Sequence, residues 1–443
     1  MNSFSINGKS LLSHFPAVCL LLAVGWMGYT VHQEDFYSLL LCMGISFGAY
    51  YWICFREEHD HRSIRFYCGL GILLRLSLLF VLPLLSDDIY RFVWDGRLIN
   101  QGINPFEQLP SYYIEQGGPP GLDQALFDQL NSPEYFTIYP PICQAIFATA
   151  CRLFPTDVGG ASMVMKAVLI AMEIGSIYLI SRLLTAYRLP AQNVLFYALN
   201  PLMIIEISGN LHFEGAMVFF LVLTLWLLWR EAWMGSAVAM ALSIASKLLP
   251  LLFLPLLLRF LGWKKSIQYY LITGLIVSLL FLPLLSGSFL DNFGNSLDLY
   301  FRKFEFNASL YYVLRWLGYQ LRGYNLIALL GPALALIVFS SILWLSFRRE
   351  KEAMTLPHYL LFAISIYLLC ATTVHPWYVS LPVVLCCFTH FRYPILWSAL
   401  IGLTYVNYSY ETYVENLWVV AIEYSLVLGF FLWEWRTKSM ETS

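Results

Sequence analysis

The chain has 443 residues, of which 59% are hydrophobic, 17% aromatic and 12% charged, with a formal net charge of −2. Soluble domains carry roughly 25% charged residues, so half of the usual charged surface is missing, and the near-neutral balance gives no basic field for nucleic acid. The charges that exist are bunched between apolar runs near the length needed to cross a bilayer, about 17–25 residues. A soluble enzyme is thereby excluded, and an all-α, polytopic transmembrane helical bundle is expected.

The apolar segments fall at 15–31, 36–55, 66–85, 139–154, 161–183, 194–209, 212–229, 232–247, 248–261, 267–286, 325–347, 356–373, 376–390, 395–410 and 416–434, enough for about 12–14 helices. The first follows Lys9 and His14 with no small-residue cleavage site, and reads as a retained helix rather than a signal peptide. Lysine and arginine collect on the cytoplasmic side of short loops. Arg56, Arg62 and Arg65 mark the second loop as inner, and Arg348, Arg349, Lys351, Arg392, Arg436 and Lys438 mark later inner positions. Residues 86–138 and His375 then share the outer face. The count of crossings between those two places is odd, so one short segment fails to cross, or residues 308–321 form a crossing of their own. Of the nine cysteines none form a C-x-x-C pair, which indicates buried thiols rather than a disulfide framework or zinc site.

Two outer segments, 86–138 and 287–324, are far longer than ordinary connections of about four to six residues. Both are rich in aromatic residues suited to the membrane interface, and interfacial helices are expected in each. The whole of 1–443 is expected to form one integral-membrane domain.

The first long segment opens with Asp87 and Asp88. Two clustered carboxylates beside low-dielectric material repel, which lifts one toward proton uptake near neutrality and suits a general base. In a helix, Asp88, Arg91 and Asp95 share a face, and Asp87 and Arg91 form an i, i+4 pair beside it. The plain alternative is a solvated helix start with acids favoured by the helix dipole. Gly102-Ile103-Asn104-Pro105-Phe106 reads as a helix stop, and Tyr139-Pro140-Pro141 as the start of the next helix.

Further on, Asn200-Pro201 breaks an apolar segment, and Glu206, Asn210, His212 and Glu214 surround a Ser-Gly break. Ionisable groups at membrane depth face a cavity or a partner. Lys247 lies within an apolar run just before Pro250, where a lone ammonium either snorkels or meets an anion such as phosphate. Arg75 and Glu173 sit inside apolar helices and are candidates for a structural pair. Arg302, Lys303 and Arg315 are outer cations, unexpected there unless they serve an anionic ligand. His375-Pro376-Trp377-Tyr378 could hold a sugar or phosphate by stacking and hydrogen bonding, or form part of an aromatic belt. Asn307-Ala308-Ser309 and Asn407-Tyr408-Ser409 match the glycosylation tripeptide, a pattern that arises often by chance.

The acidic pair, Asp95-Gly96, Gly102 to Phe106, Tyr139-Pro140-Pro141, Asn200-Pro201, His212-Phe213-Glu214-Gly215, Ser246 to Pro250 and His375 to Tyr378, in that order, resemble the GT-C glycosyltransferases. More narrowly the chain is similar to bacterial polyprenyl-phosphate-mannose-dependent mannosyltransferases and the related GPI mannosyltransferases, over about residues 66 to 390. The resemblance implies a multi-helix membrane enzyme that takes a sugar, mannose by this likeness, from a polyprenyl-phosphate donor. Transfer would go to a glycan, lipid or protein acceptor with inversion, at a site facing the periplasm or exterior of a bacterial inner membrane. Asp87 or Asp88 would be the base. Relatives often show D-x-D or D-E where this chain has adjacent aspartates, which leaves the choice between them open. Lys247, Arg302 and His375 would meet the donor phosphate, and Arg91, Asp95, Tyr139, His212, Glu214, Trp377 and Tyr378 complete the expected substrate site. No cofactor is required, although Asp87 and Asp88 could hold a divalent metal. A flippase or secondary transporter is the rival, but it predicts paired halves with matching broken helices, and no such repeat is present. A glycan ligase shares the architecture but calls for a more arginine-rich outer loop.

Overall fold

The computed structural model describes residues 14–347, 355–410 and 414–441. Among them the elements are helical, with a single isolated bridge between Phe306 and Thr373. Arg348, Arg349 and Lys351 lie outside the described residues, as does the side chain of Lys438.

Helices begin where a short polar side chain can satisfy the free N–H groups of a first turn. Asp60 accepts from the N–H groups of Arg62 and Ser63 to open His61–Ser77, and Asp157 accepts from those of Gly159 and Gly160 to open Val158–Ala186. Pro141 stands in the first turn of Pro141–Leu153, where its missing N–H costs nothing.

Among the described residues five helices are long and apolar enough to span a membrane, or up to six if a bent pair counts as one span, so the chain is a multi-pass membrane protein. The rest of the predicted apolar segments form shorter helices or broken ones. Pro201–Gly209 and Glu214–Trp229 meet at 115° across the Ser-Gly break. Ile204–Gly209 is wound as a π-helix, and Leu211 takes a left-handed φ of 63°; distortions of both kinds concentrate at functional sites. The segments expected at 248–261 and 267–286 are two halves of a helix broken at Gly262, whose φ of 71° only glycine adopts without strain. The helix Leu310–Arg322 is not the missing crossing. Its 13 residues reach about 20 Å, short of a hydrocarbon core of about 30 Å.

Buried polar contacts pin the bundle from inside. Arg75 Nε donates to Glu173 Oε2 at 3.0 Å with both side chains fully buried, so the anticipated pair forms. Arg75 also donates to the carbonyl of Ala198 at 2.6 Å, and the Tyr197 hydroxyl donates to Glu173. Lys166, unremarked in the sequence, caps the end of His61–Ser77 by donating to the carbonyls of Leu78 and Val81 at 3.0 and 2.5 Å. All nine cysteines are free thiols. Asn307 and Asn407 are buried, so neither tripeptide offers its amide to a glycan.

Candidate functional site

The acidic helix Asp88–Asn100 is nearly all buried, and it packs on Pro141–Leu153. Phe92 stacks on Phe147 at 4.5 Å. Gly96 is required at the crossing, because a Cβ there would lie 2.5 Å from the Phe147 carbonyl oxygen. Burial of the helix's far side leaves its first turn, with Asp87 and Asp88, at the rim.

Arg91 and Asp95 are spent inside the fold. Arg91 turns its Nε to Asp95 at 3.0 Å, not to Asp87, and its Nη1 donates to the carbonyls of Ser132 and Tyr135 at 3.1 and 2.9 Å. Asp95, fully buried, also accepts from Thr137 Oγ1 at 2.5 Å and Gln144 Nε2 at 2.9 Å. The pair therefore ties the end of the first long segment onto the acidic helix, with the Arg91 side chain buried in the fold.

Asp88 differs. Half-buried, it accepts from Asn131 Nδ2 at 2.8 Å and from the Tyr139 hydroxyl at 3.0 Å, both neutral donors. Tyr139 presents its ring to the Lys247 ammonium, 5.5 Å from the ring centre, and Lys247 reaches the fully buried Glu214 at 3.0 Å. The break after Trp233–Ser246, just before Pro250, is what turns Lys247 toward this space. Asp87 stands exposed at the N-cap with no capping bond from its side chain. Partial desolvation, then the Asp88 carboxylate, then Glu34 hold its pKa above the usual carboxylate range.

A second cluster adjoins. His212 Nδ1 lies 3.1 Å from Glu206 Oε2, and Glu206 Oε1 accepts from the Tyr405 hydroxyl at 2.7 Å. The His212 ring stacks on Trp377 at 3.6 Å, and Trp377 stacks on His375 at 4.6 Å, which in turn stacks on Phe306 at 4.7 Å. Trp377 is thus sandwiched between two imidazoles, and the expectation that it stacks on a sugar is corrected: its faces are taken. Burial, with further lowering from His212 and Lys247 and an opposing effect from Asp88, depresses the His375 pKa to about 3. His375 is therefore a neutral imidazole and brings no charge to a phosphate. Asp88 and Lys247 act electrostatically on the same ring, which shows that the first and last motifs of the chain converge.

A groove of about 380 Å³ runs from this centre between the short helical turn Leu249–Phe253 and the helices Ile327–Phe347 and Leu356–Cys370. Its wall is leucine, glycine, alanine, valine and aromatic side chains, and Leu251 and Phe339 at its edge are exposed on the outside of the bundle. The charged residues lining it are Glu214 and Lys247, with Tyr139 and Tyr378 beside them. Arg315 lies elsewhere in use, paired with Glu305 and set over the Tyr312 ring at 4.3 Å. The side chain of Arg302, at the end of the helix Phe289–Arg302, is outside the described set. Among the described residues no three histidine, cysteine or acidic side chains converge as a metal site.

Sequence reasoning passed over Asn131, which has no motif around it, and gave Glu206 no role, although an acid at membrane depth beside a broken helix was the signal available. No curated protein matches the chain. The family model described as alpha-(1→6)-mannopyranosyltransferase, N-terminal domain, matches residues 7–262, a stretch that holds Asp88, Tyr139, Glu206, His212, Glu214 and Lys247. Because that match spans more than half of its length, the chain belongs to this MptA_B family of GT-C type mannosyltransferases.

Proposed function

We propose that the protein moves mannose from a polyprenyl-phosphate donor to a hydroxyl of an acceptor, glycan, lipid or protein, with inversion. The site would face the periplasm or exterior of a bacterial inner membrane. One observation carries this reading: an apolar groove, whose edge residues Leu251 and Phe339 are exposed on the outside of the bundle, ends at Lys247, Glu214 and Tyr139, and Tyr139 donates directly to Asp88. A donor with a long apolar tail and a phosphate head needs that order of surfaces. The tail occupies the groove, and the head lies by the ammonium of Lys247.

Asp88 then serves as the base, since it is the acid joined to the groove through Tyr139. It takes the proton of the acceptor hydroxyl while that oxygen bonds to the anomeric carbon from the face opposite the phosphate. The bond from the anomeric carbon to the phosphate oxygen breaks, and its electron pair leaves with the polyprenyl phosphate. That anion is stable without a strong general acid, so a nearby cation suffices. The neutral hydrogen bonds from Asn131 and Tyr139 orient the carboxylate without pairing off its charge. Asp87 and Asp88 are the available carboxylates should a divalent cation bind, but this scheme does not require one.

The test is transfer by purified protein from radiolabelled mannosyl-phosphate polyprenol and, separately, from a nucleotide-linked mannose, with the product anomer read by NMR. Transfer from the lipid donor alone, with inversion, is expected. Transfer from the nucleotide sugar without any lipid intermediate would overturn the donor reading, and retention of configuration would overturn the single-base scheme.

A further inference from the structure

Glu206 lies fully buried in the π-wound turn before the Ser-Gly break. An isolated carboxylate at membrane depth is costly, so it must take up a proton or meet a cation. Its Oε1 accepts from the neutral Tyr405 hydroxyl, and Oε2 is approached by Asn210 Nδ2 at 3.4 Å and by His212 Nδ1 at 3.1 Å. Of these only the imidazole can carry a positive charge. His212 Nδ1 also lies 3.0 Å from the backbone carbonyl of Glu206, which fixes the Nδ1 proton on that side.

The other edge of the ring is the informative one. His212 is 2% exposed, and its Nε2 has no hydrogen-bond partner. A face of the ring is covered by Trp377, so a ligand must come to the Nε2 edge. His212 stands two residues before Glu214, the partner of Lys247, and its ring shares Trp377 with the ring of His375. Glu214 and Lys247 line the end of the groove.

We propose that Glu206 is a positioning residue that holds His212 as an imidazolium and aims its Nε2–H at the donor phosphate, opposite the lysine. The proposal rests on the polyprenyl-phosphate reading above and deepens it. The lysine then supplies a point charge already shared with Glu214, and the imidazolium supplies a directed, charge-assisted hydrogen bond to the leaving oxygen or its neighbours. Tyr405 acts through Glu206 by fixing the rotation of its carboxylate.

The experiment uses purified full-length protein with mannosyl-phosphate polyprenol as the varied substrate at saturating acceptor, then the reverse. Glu206→Gln should raise the donor KM about tenfold or more, the worth of one charged hydrogen bond, while the acceptor KM stays put. Glu206→Asp should recover most of that loss, which a merely structural carboxylate would not require. An unchanged donor KM in Glu206→Gln would overturn the assignment, as would a rise confined to the acceptor KM, which would put Nε2 on an acceptor hydroxyl. Should Glu206→Gln fail to fold, His212→Gln measured in the same way decides, an unchanged donor KM again being fatal. Failure of the wild type to use the lipid donor would overturn the donor reading and this proposal together, whereas failure of the proposal alone leaves wild-type transfer intact.

Discussion

The two long segments, 86–138 and 287–324, are built of the same materials and treat their charges in opposite ways. Both carry aromatic residues, short helices and acids. In the second, Glu305 is met by Arg315, the Tyr311 hydroxyl and Asn325, while Glu415 and Glu423 from the C-terminal end hold Asn307 by its backbone and side-chain nitrogens. In the first, Arg91 and Asp95 are consumed in the same fashion, but Asp88 is left with neutral donors only, at the mouth of a groove. Acidic residues at a membrane edge are therefore not informative in themselves. What separates a tether from a candidate base is whether a cation has already claimed the carboxylate.

The sharpest way to break this contrast is to neutralise one acid in each segment. Asp88→Asn should lower kcat by about 10²–10⁴, the usual worth of a general base, with little change in thermal unfolding in detergent. Glu305→Gln should do the reverse, with transfer retained and the melting temperature lowered. Equal activity losses from the two would abolish the distinction drawn between the segments.

A smaller effect is expected from Arg315→Ala. It strips the cation from Glu305 and leaves the carboxylate with neutral donors. Both partners are partly shielded, with side chains 24% and 16% exposed, so a loss of about 1–3 kcal/mol is expected, as for a group left without its partner, and kcat should not move. A denaturation series beside the transfer assay measures both.

The bundle and its breaks were legible because they are local signals. Apolar runs, Pro201, Pro250 and the Ser-Gly pair lie where helices end or bend, and the buried Arg75–Glu173 pair follows from the rule that intramembrane charges seek partners. The site was legible as a set of motifs but not as a set of contacts. Helix spacing left both Asp87 and Asp95 within reach of Arg91; the choice was made by Thr137 and Gln144, 42 and 49 residues from Asp95. Tyr139 meets Asp88 across 51 residues. Trp377 reads as a sugar platform in sequence because nothing there reveals that His212 and His375 cover it. Long-range partners decide which polar groups remain available, and a single sequence does not display them.

Asp87 offers the smallest and most discriminating test of how the first segment works. Its pKa lies above the ordinary carboxylate value of about 3.9, through desolvation first and then the charges of Asp88 and Glu34. The carboxyl is neutral below that raised value and charged above it, so a falling pH protonates it earlier than an ordinary aspartate. An ionised Asp87 places a negative charge beside Asp88 and so favours the transfer of a proton to that carboxylate, a help that is lost when Asp87 is neutral. The wild-type kcat/KM should then fall as pH drops through the Asp87 step. Asp87→Asn holds that position neutral at every pH: the step should vanish and the plateau should drop by a few fold, not by the factor expected for Asp88→Asn. A pH–rate profile of the two proteins checks this. Loss of activity in Asp87→Asn as deep as in Asp88→Asn would move the base to Asp87, or to the two carboxylates acting as one unit.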